Sequence, residues 1–223
     1  MKAQDARIAV LQFAGHLSRT LHGHGHLRGH ASGAVRLAAR TLAAGCTLTY
    51  RDHYGNVSEA DLSDYMERCG FFGAHGAELV RFLASMLRPG DWVIDAGANV
   101  GLFTSPLAAA VGRRGSVWAI EPLSRNVERL TRLKEVNGLS QVEVFPVALG
   151  AGTSTAHLRL PAAPGGSGFG SLVATWPSGS EVEVSTGAPT TSSVRTRRTR
   201  CCVSSRSTLR GPKSTWLPAL APH

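Results

Sequence analysis

From Asp91 to Val147 short apolar runs alternate with amphipathic stretches, and this alternation limits the possible folds more than any other feature of the chain. Trp92-Val93-Ile94 is continuously apolar, the pattern of a strand buried on both faces. Leu102–Val111 follows at helical spacing, and Gly112-Arg-Arg-Gly115 closes it. Ser116–Ile120 reads as a second strand, ended by Glu121-Pro122. Ser124–Val136 reads as a polar-faced helix with Val127, Leu130 and Leu133 turned inward, and Val142–Val147 as a third strand. Strand, helix, strand, helix, strand is the order of a parallel sheet with helical crossovers. The expected class is therefore α/β, a Rossmann-like doubly wound sheet. Two further strand-like pieces, Thr155–Leu160 and Glu181–Ser185, lie around a glycine-rich stretch from Gly165 to Gly170.

The segment ahead of this pattern, 1–76, predicts a helical and mixed extension. It contains helices over Ala6–Leu21 and Ala34–Ala44, then a strand over Thr47–Tyr50 that runs into a turn at Asp52-His-Tyr-Gly-Asn56. A helix through Met66 is expected to start at Ser58, its N-cap, with Asp61 three residues on. Ala77–Leu87 is amphipathic, with Leu79, Val80, Leu83 and Leu87 assigned to one face, and Arg88-Pro89-Gly90 ends it. The α/β region spans 77–186. After it the periodicity stops, and 187–223 is expected to be a basic tail of low order.

Composition narrows the classes. With 43% hydrophobic and 17% charged residues, a packed core is feasible and full disorder is excluded. No apolar run approaches the roughly 18 residues of a membrane span. The N-terminus mixes an acid with its bases and leads into no long apolar run, so the reading is cytoplasmic. The net charge of +9 is unevenly placed: up to Thr186 there are 17 Lys and Arg against 15 acids, and from Gly187 there are 7 and no acid. The basic character thus belongs to the tail. Cys46, Cys69 and the adjacent Cys201-Cys202 lack metal-ligand spacing and read as unpaired thiols.

The chemistry concentrates in Asp95-Ala-Gly97-Ala-Asn99-Val-Gly101, at the turn between the first strand of the alternation and its helix. Removing side chains at Gly97 and Gly101 lets a cofactor approach main-chain N–H groups. Asn99 tolerates left-handed backbone better than most residues. Glu121 stands at the carboxyl end of the next strand, where a carboxylate can accept two hydrogen bonds from a ribose diol. The combination points to a nucleoside cofactor. The dinucleotide fingerprint G-x-G-x-x-G is absent, because Ala98 and Asn99 follow Gly97, and so is the P-loop pattern.

The remaining motif, D-x-G-x-N-x-G, resembles the first motif of S-adenosylmethionine-dependent methyltransferases. The longer string Arg88-Pro-Gly-Asp-Trp-Val-Ile-Asp-Ala-Gly-Ala-Asn-Val-Gly101 resembles the FkbM family in particular. Glu78, Ala119-Ile-Glu-Pro122, Asn126, Asn137 and Val147-Ala-Leu-Gly150 support the resemblance, which covers roughly Ala77 to Thr186. It implies a class I methyltransferase fold with S-adenosyl-L-methionine as cofactor. The implied reaction is methyl transfer to a hydroxyl on a sugar or natural-product type small molecule. By position, Gly97, Ala98, Asn99 and Gly101 would line the methionine part of the cofactor, with Asp95 orienting the turn and Glu121 holding the ribose. No catalytic base is assigned. His157 is the single histidine between Asp95 and the tail, and it reads as a surface residue of a strand.

The resemblance fails at the C-terminal end. A strand carrying something like K-I-D-V-E-G-A-E should follow Glu181–Thr186 and lie beside the first strand, and it is missing. A second frame joins each codon's third base to the next codon's first two. In that frame, with free choice among synonymous codons, Ser205–Thr215 can encode K-I-D-V-E-G-A-E-V-D. The expectation is that the frame slips near Thr186–Thr190 and that the tail is out of frame. Without the missing strand, Trp92-Val93-Ile94 should be an open apolar edge, and cofactor binding should be weak or absent.

Three rival readings come from other residues. Arg195-Thr-Arg-Arg-Thr-Arg200 could serve as a basic arm for RNA or DNA without catalysis. Trp216 is the tail's single aromatic, so no stacking series accompanies that arm and a nucleic-acid partner is not expected. His22, His24, His26 and His30, with His16 nearby, invite a metal. Their glycine spacing and the lack of neighbouring cysteines or carboxylates argue against a metal site. A nicotinamide-dependent enzyme would need a substrate region that the chain does not display.

Overall fold

The computed structural model describes residues 3–23, 45–73, 77–150, 152–162, 170, 172, 178–187 and 199–204. The expected helix over Ala34–Ala44, His24, His26 and His30, the Gly165–169 stretch and most of the basic tail lie outside these residues. The chain divides into two compact units, Met1–Arg81 and Phe82–His223.

The first unit opens with helix α1 (Ala3–Gly23), followed by strands β1 (Thr47–Arg51) and β2 (Val57–Asp61) in an antiparallel pair. Asp52 closes the hairpin, its Oδ1 accepting from the N–H groups of Tyr54 and Asn56. Helix α2 (Tyr65–Phe71) begins at Asp64, whose side chain accepts from the Met66 and Glu67 amides. Ser58, expected to cap this helix, sits inside β2 opposite Tyr50. The hairpin ladder claims Val57–Asp61, so the helix starts at the next acidic N-cap, six residues later. Leu11, Leu48, Tyr50, Ala60, Leu62, Phe71 and Phe72 form the core of this unit. Helix α3 (Ala77–Met86) spans the boundary between the units. It buries Val80 and Leu83, with Leu87 just beyond its end, whereas Leu79, assigned to the same face, is exposed.

The second unit is built on a four-stranded parallel sheet. It contains β3 (Trp92–Ala96), β4 (Ser116–Ile120), β5 (Val142–Phe145) and β9 (Thr199–Ser204), in the order β5-β4-β3-β9. Helices α4 (Thr104–Val111) and α5 (Ser124–Val136) make the crossovers. Counted from β3 as first strand, the order is 3-2-1-4, that of the Rossmann-like sheet, and the α/β expectation holds. The continuous apolar runs have a direct cause. Val93, Val117, Ala119 and Val142 face a core shared with Leu107, Val111, Leu130 and Leu133. The alternate residues Ile94, Ala96, Trp118 and Ile120 build a second core, in which the Trp118 ring meets those of Trp92 and Phe145 edge-on or tilted. A strand with both faces covered has no polar side left to display.

A small sheet follows, of β6 (Ala148–Leu149), β7 (Ser154–Pro161) and β8 (Gly179–Gly187), with β8 in the middle. The open edge expected at Trp92–Ile94 is not found. Strand β9 runs parallel to β3 along Trp92–Ala96, and Val93 and Ile94 are fully buried. No strand was expected in 187–223, yet Thr199–Ser204, immediately ahead of Ser205, takes the edge position where the family resemblance places one.

Candidate functional site

The site lies at the carboxyl end of the parallel sheet, where β3 and β4 end side by side. This is where open α/β sheets place their ligands. Leaving β3, the chain takes positive φ at alternate residues: Gly97 at 79°, Asn99 at 51° and Gly101 at 91°. Among the described residues Asn99 is the single non-glycine in that region, and its side chain stabilises the conformation by accepting from the Val100 N–H at 2.8 Å. Gly101 also answers a packing demand. A Cβ there would lie 2.5 Å from Leu133 Cδ2 and 2.9 Å from Leu130 Cδ1, both on α5.

The loop's amide groups are committed to the loop itself. Gly97 and Ala98 both donate to the Ile120 carbonyl, at 2.9 and 3.0 Å, tying the turn to the end of β4. Asn99 N–H donates to Glu121 Oε2 at 2.9 Å, Val100 N–H to Asn99 Oδ1, and Gly101 N–H to the Ala98 carbonyl. Five successive donors are therefore occupied. The sequence reading expected exposed N–H groups. The glycines instead supply the backbone geometry that lets those groups turn inward.

Two buried carboxyls hold the site together. Asp95, 1% exposed, accepts from Thr104 Oγ1 at 2.6 Å and so joins the end of β3 to the first residue of α4. Glu121, 5% exposed, accepts from Asn99 N–H, from Leu123 N–H at 3.0 Å and from Asn126 Nδ2 at 3.1 Å. Burial pushes the Asp95 carboxyl up to about 7, the Thr104 hydrogen bond opposes that rise and the charge of Glu121 adds to it. Burial likewise raises Glu121 above the usual carboxylate range, against its three hydrogen bonds. Among the described residues no cation enters the balance of either group.

The structure thus brings Asp95, Gly97, Ala98, Asn99, Gly101 and Glu121 into one loop-and-strand-end cluster. The sequence reading quoted Asn126 only as family support and missed its place in the site. It is 1% exposed at the start of α5, and its Oδ1 has no hydrogen-bond partner. A polar residue on the inner side of a helix, five residues after Glu121, was the available signal. His157 stands apart on β7, 63% exposed and 4.0 Å from Glu181. The side chain of Glu78 and the side chains of β9 are outside the described residues. No group of three or more potential metal ligands occurs among the described residues, and no described helix is long and apolar enough to cross a membrane.

No family model and no curated protein matches the chain. Among solved structures it is similar to a SAM-dependent methyltransferase from Aquifex aeolicus, at 26% identity over 31% of this chain and 42% of that one, with a TM-score of 0.28. It is similar to M. jannaschii TYW2 in complex with AdoMet, at 23% identity over 44% of this chain and 42% of that one, TM-score 0.37. It is also similar to the M. jannaschii tRNA m1G37 methyltransferase, at 20% identity over 45% of this chain and 29% of that one, TM-score 0.34. The chain spans less than half the length of each of these proteins.

Proposed function

We propose that the chain binds S-adenosyl-L-methionine and belongs with the FkbM-type methyltransferases, transferring a methyl group to a hydroxyl of a sugar or natural-product type small molecule. One observation carries the cofactor assignment. Asp95 and Glu121 are buried close enough for their charges to interact, with no cation among the described residues to balance them, beside a loop whose five N–H groups are already used. An anionic pyrophosphate needs free N–H donors and gains nothing from two carboxylates. A nucleoside with a sulfonium and an ammonium group offsets buried negative charge instead. The same contrast disfavours the nicotinamide reading.

In this reading Glu121 holds the ribose, Asp95 fixes the turn and contributes negative charge, and Gly97, Ala98, Asn99 and Gly101 shape the wall of the cofactor site. The bound cofactor supplies an already activated methyl group. The protein's own work is then to align an acceptor oxygen and help remove its proton. No described residue is assigned as that base, because His157 is exposed and faces Glu181. The hydroxyl acceptor is supported by the resemblance of Arg88–Gly101 to the FkbM string alone.

The test is competition and transfer with the purified chain. S-adenosylmethionine and S-adenosylhomocysteine should bind and NAD should not, and Glu121→Gln should weaken binding by at least tenfold. Labelled methyl groups should then pass to a hydroxyl-bearing small molecule in an acceptor panel that also contains tRNA and rRNA. Binding of NAD would end the cofactor assignment, and labelling confined to RNA would end the acceptor assignment.

A further inference from the structure

Asp95 and Glu121 are both buried acids, but they are held differently. Glu121 accepts from three donors, whereas among the described residues the Asp95 carboxylate accepts from one, the Thr104 hydroxyl. Thr104 is 0% exposed, and Asp95 is the hydroxyl's single partner among the described residues. The bond is 2.6 Å long, the length of a charge-assisted O–H···O⁻ contact, and such a bond is stronger to a carboxylate than to a neutral carboxyl. Its place matters as much as its strength. Asp95 lies near the end of β3 and Thr104 opens α4, so this bond closes the base of the loop 96–103, which contains the three left-handed residues. The loop's first amides tie it to β4 instead, through the Ile120 carbonyl and Glu121. Glu121, at the end of β4, is the acid whose charge reaches Asp95, and neither the loop nor α4 contains a titratable residue. On β9 Val203 pairs with Asp95, and the titratable Arg200, Cys201 and Cys202 lie along Trp92–Ile94.

We propose that Thr104 is a positioning residue of the cofactor site, its hydroxyl holding Asp95 in the charged form and latching the loop 96–103 between β3 and α4, so that the site meets a cationic cofactor with its negative charge in place. No ligand has to reach Thr104 or Asp95 for this. The hydroxyl acts on the carboxylate, and the carboxylate acts through its charge and through the loop. Burial and Glu121 both oppose ionisation of Asp95, and Thr104 is the one group that opposes them. Removing its hydroxyl therefore leaves the carboxylate with no described donor. This inference rests on the cofactor reading and deepens it by adding a residue that sets the pH range in which the site works.

The experiment compares the full chain with Thr104→Val, which keeps nearly the same shape without the donor, and Thr104→Ser, which keeps the donor. Thermal unfolding at a series of pH values needs no ligand. The folded Asp95 releases its proton near pH 7, so stability is full in acid and falls as pH rises through that value. In Thr104→Val the fall should move up by roughly one pH unit, and in Thr104→Ser it should stay with wild type. Calorimetric titration of S-adenosylmethionine over the same range should follow: Thr104→Val binds about fivefold more weakly than wild type near pH 7 and recovers at higher pH. A merely structural role would lower affinity by the same factor at every pH and leave the midpoint where it is. An unmoved midpoint in Thr104→Val, an equal shift in Thr104→Ser, or an unaltered pH dependence of binding overturns the inference and leaves the cofactor reading standing. Midpoints that shift as expected while none of the proteins binds S-adenosylmethionine end the cofactor reading, and the role of Thr104 in that site falls with it. Should Thr104→Val fail to fold, Thr104→Ala takes its place with the same expected shift.

Discussion

The two units handle buried charge in opposite ways. In the first, Arg19 lies 9% exposed, its guanidinium over the rings of Tyr50 and Phe71 and donating to the Phe71 carbonyl. Its surroundings are of mixed sign: Asp52 favours its charge, and the field at Tyr50 contains Arg19, Asp52 and Glu67 together. The buried acids there also serve the backbone, Asp64 capping α2 and Glu67 accepting from the Asp61 N–H at 2.7 Å. In the second unit the buried titratable groups of the site are both acids, and the charge of Glu121 adds to the cost of ionising Asp95. Balanced charge stabilises a fold. Unbalanced charge of one sign, held at the ligand-binding end of a parallel sheet, stores a deficit that a ligand of the other sign can relieve.

The largest effect that could break this comparison concerns Asp95. Its folded pKa of about 7 lies above its ordinary value of 3.8, so the folded chain binds more protons than the unfolded one between those values. Stability is then fullest in acid and falls as pH rises through about 7. The loss is on the order of 4 kcal/mol at most, from roughly three pKa units. Asp95→Asn should flatten that part of the profile in thermal unfolding at a series of pH values. A variant that keeps the slope would place the deficit elsewhere. Gly101→Val should come next, costing about 2–4 kcal/mol from left-handed strain and overlap with Leu130 and Leu133. Gly55 in the first unit, at φ 82° with nothing within 4 Å of its missing Cβ, provides the contrast. Gly55→Ala should cost only about 1 kcal/mol of strain.

Asp64→Ala should cost about 1 kcal/mol through loss of the α2 cap, and leave cofactor affinity unchanged. Coupling of that variant to ligand binding would contradict the division of labour drawn here. The smallest effect is expected at the exposed pair Arg159–Glu181 on the small sheet, 2.6 Å apart. Arg159→Ala should leave the melting temperature unmoved, because solvent screens such pairs.

What could be read from the sequence follows the same division. The strands and helices from Trp92 to Phe145 were legible because both sheet faces are covered, which forces continuous apolar strands and strongly amphipathic helices. The expected third strand ran to Val147; the structure ends it at Phe145, before Pro146, which cannot donate to a ladder. The hairpin of the first unit was half read. Val57–Asp61 carries polar residues that pair well enough in a two-stranded ribbon but show no strand pattern, so the acidic N-cap at Asp64 was passed over for Ser58. Strand β9 was illegible because its position comes from pairing with β3, a contact over a hundred residues distant in the chain.

At the site, the residue types and spacings located the loop, the left-handed Asn99 and the Glu121 carboxylate. The sequence could not show that the loop's N–H groups would be spent internally, since that depends on the Ile120 carbonyl and the Glu121 carboxylate arriving from the next strand. Asn126, which donates to that carboxylate, left only the weaker signal of a polar residue on the inner side of a helix, five residues after Glu121.

The most direct test of the uncompensated pair is calorimetric titration of S-adenosylmethionine into wild type and Asp95→Asn at about pH 6 and about pH 7.5. If binding is tied to ionised Asp95, wild-type affinity should rise roughly five- to tenfold across that interval and the variant's should change less. No binding at the higher pH, or the same pH dependence in both proteins, would contradict the account.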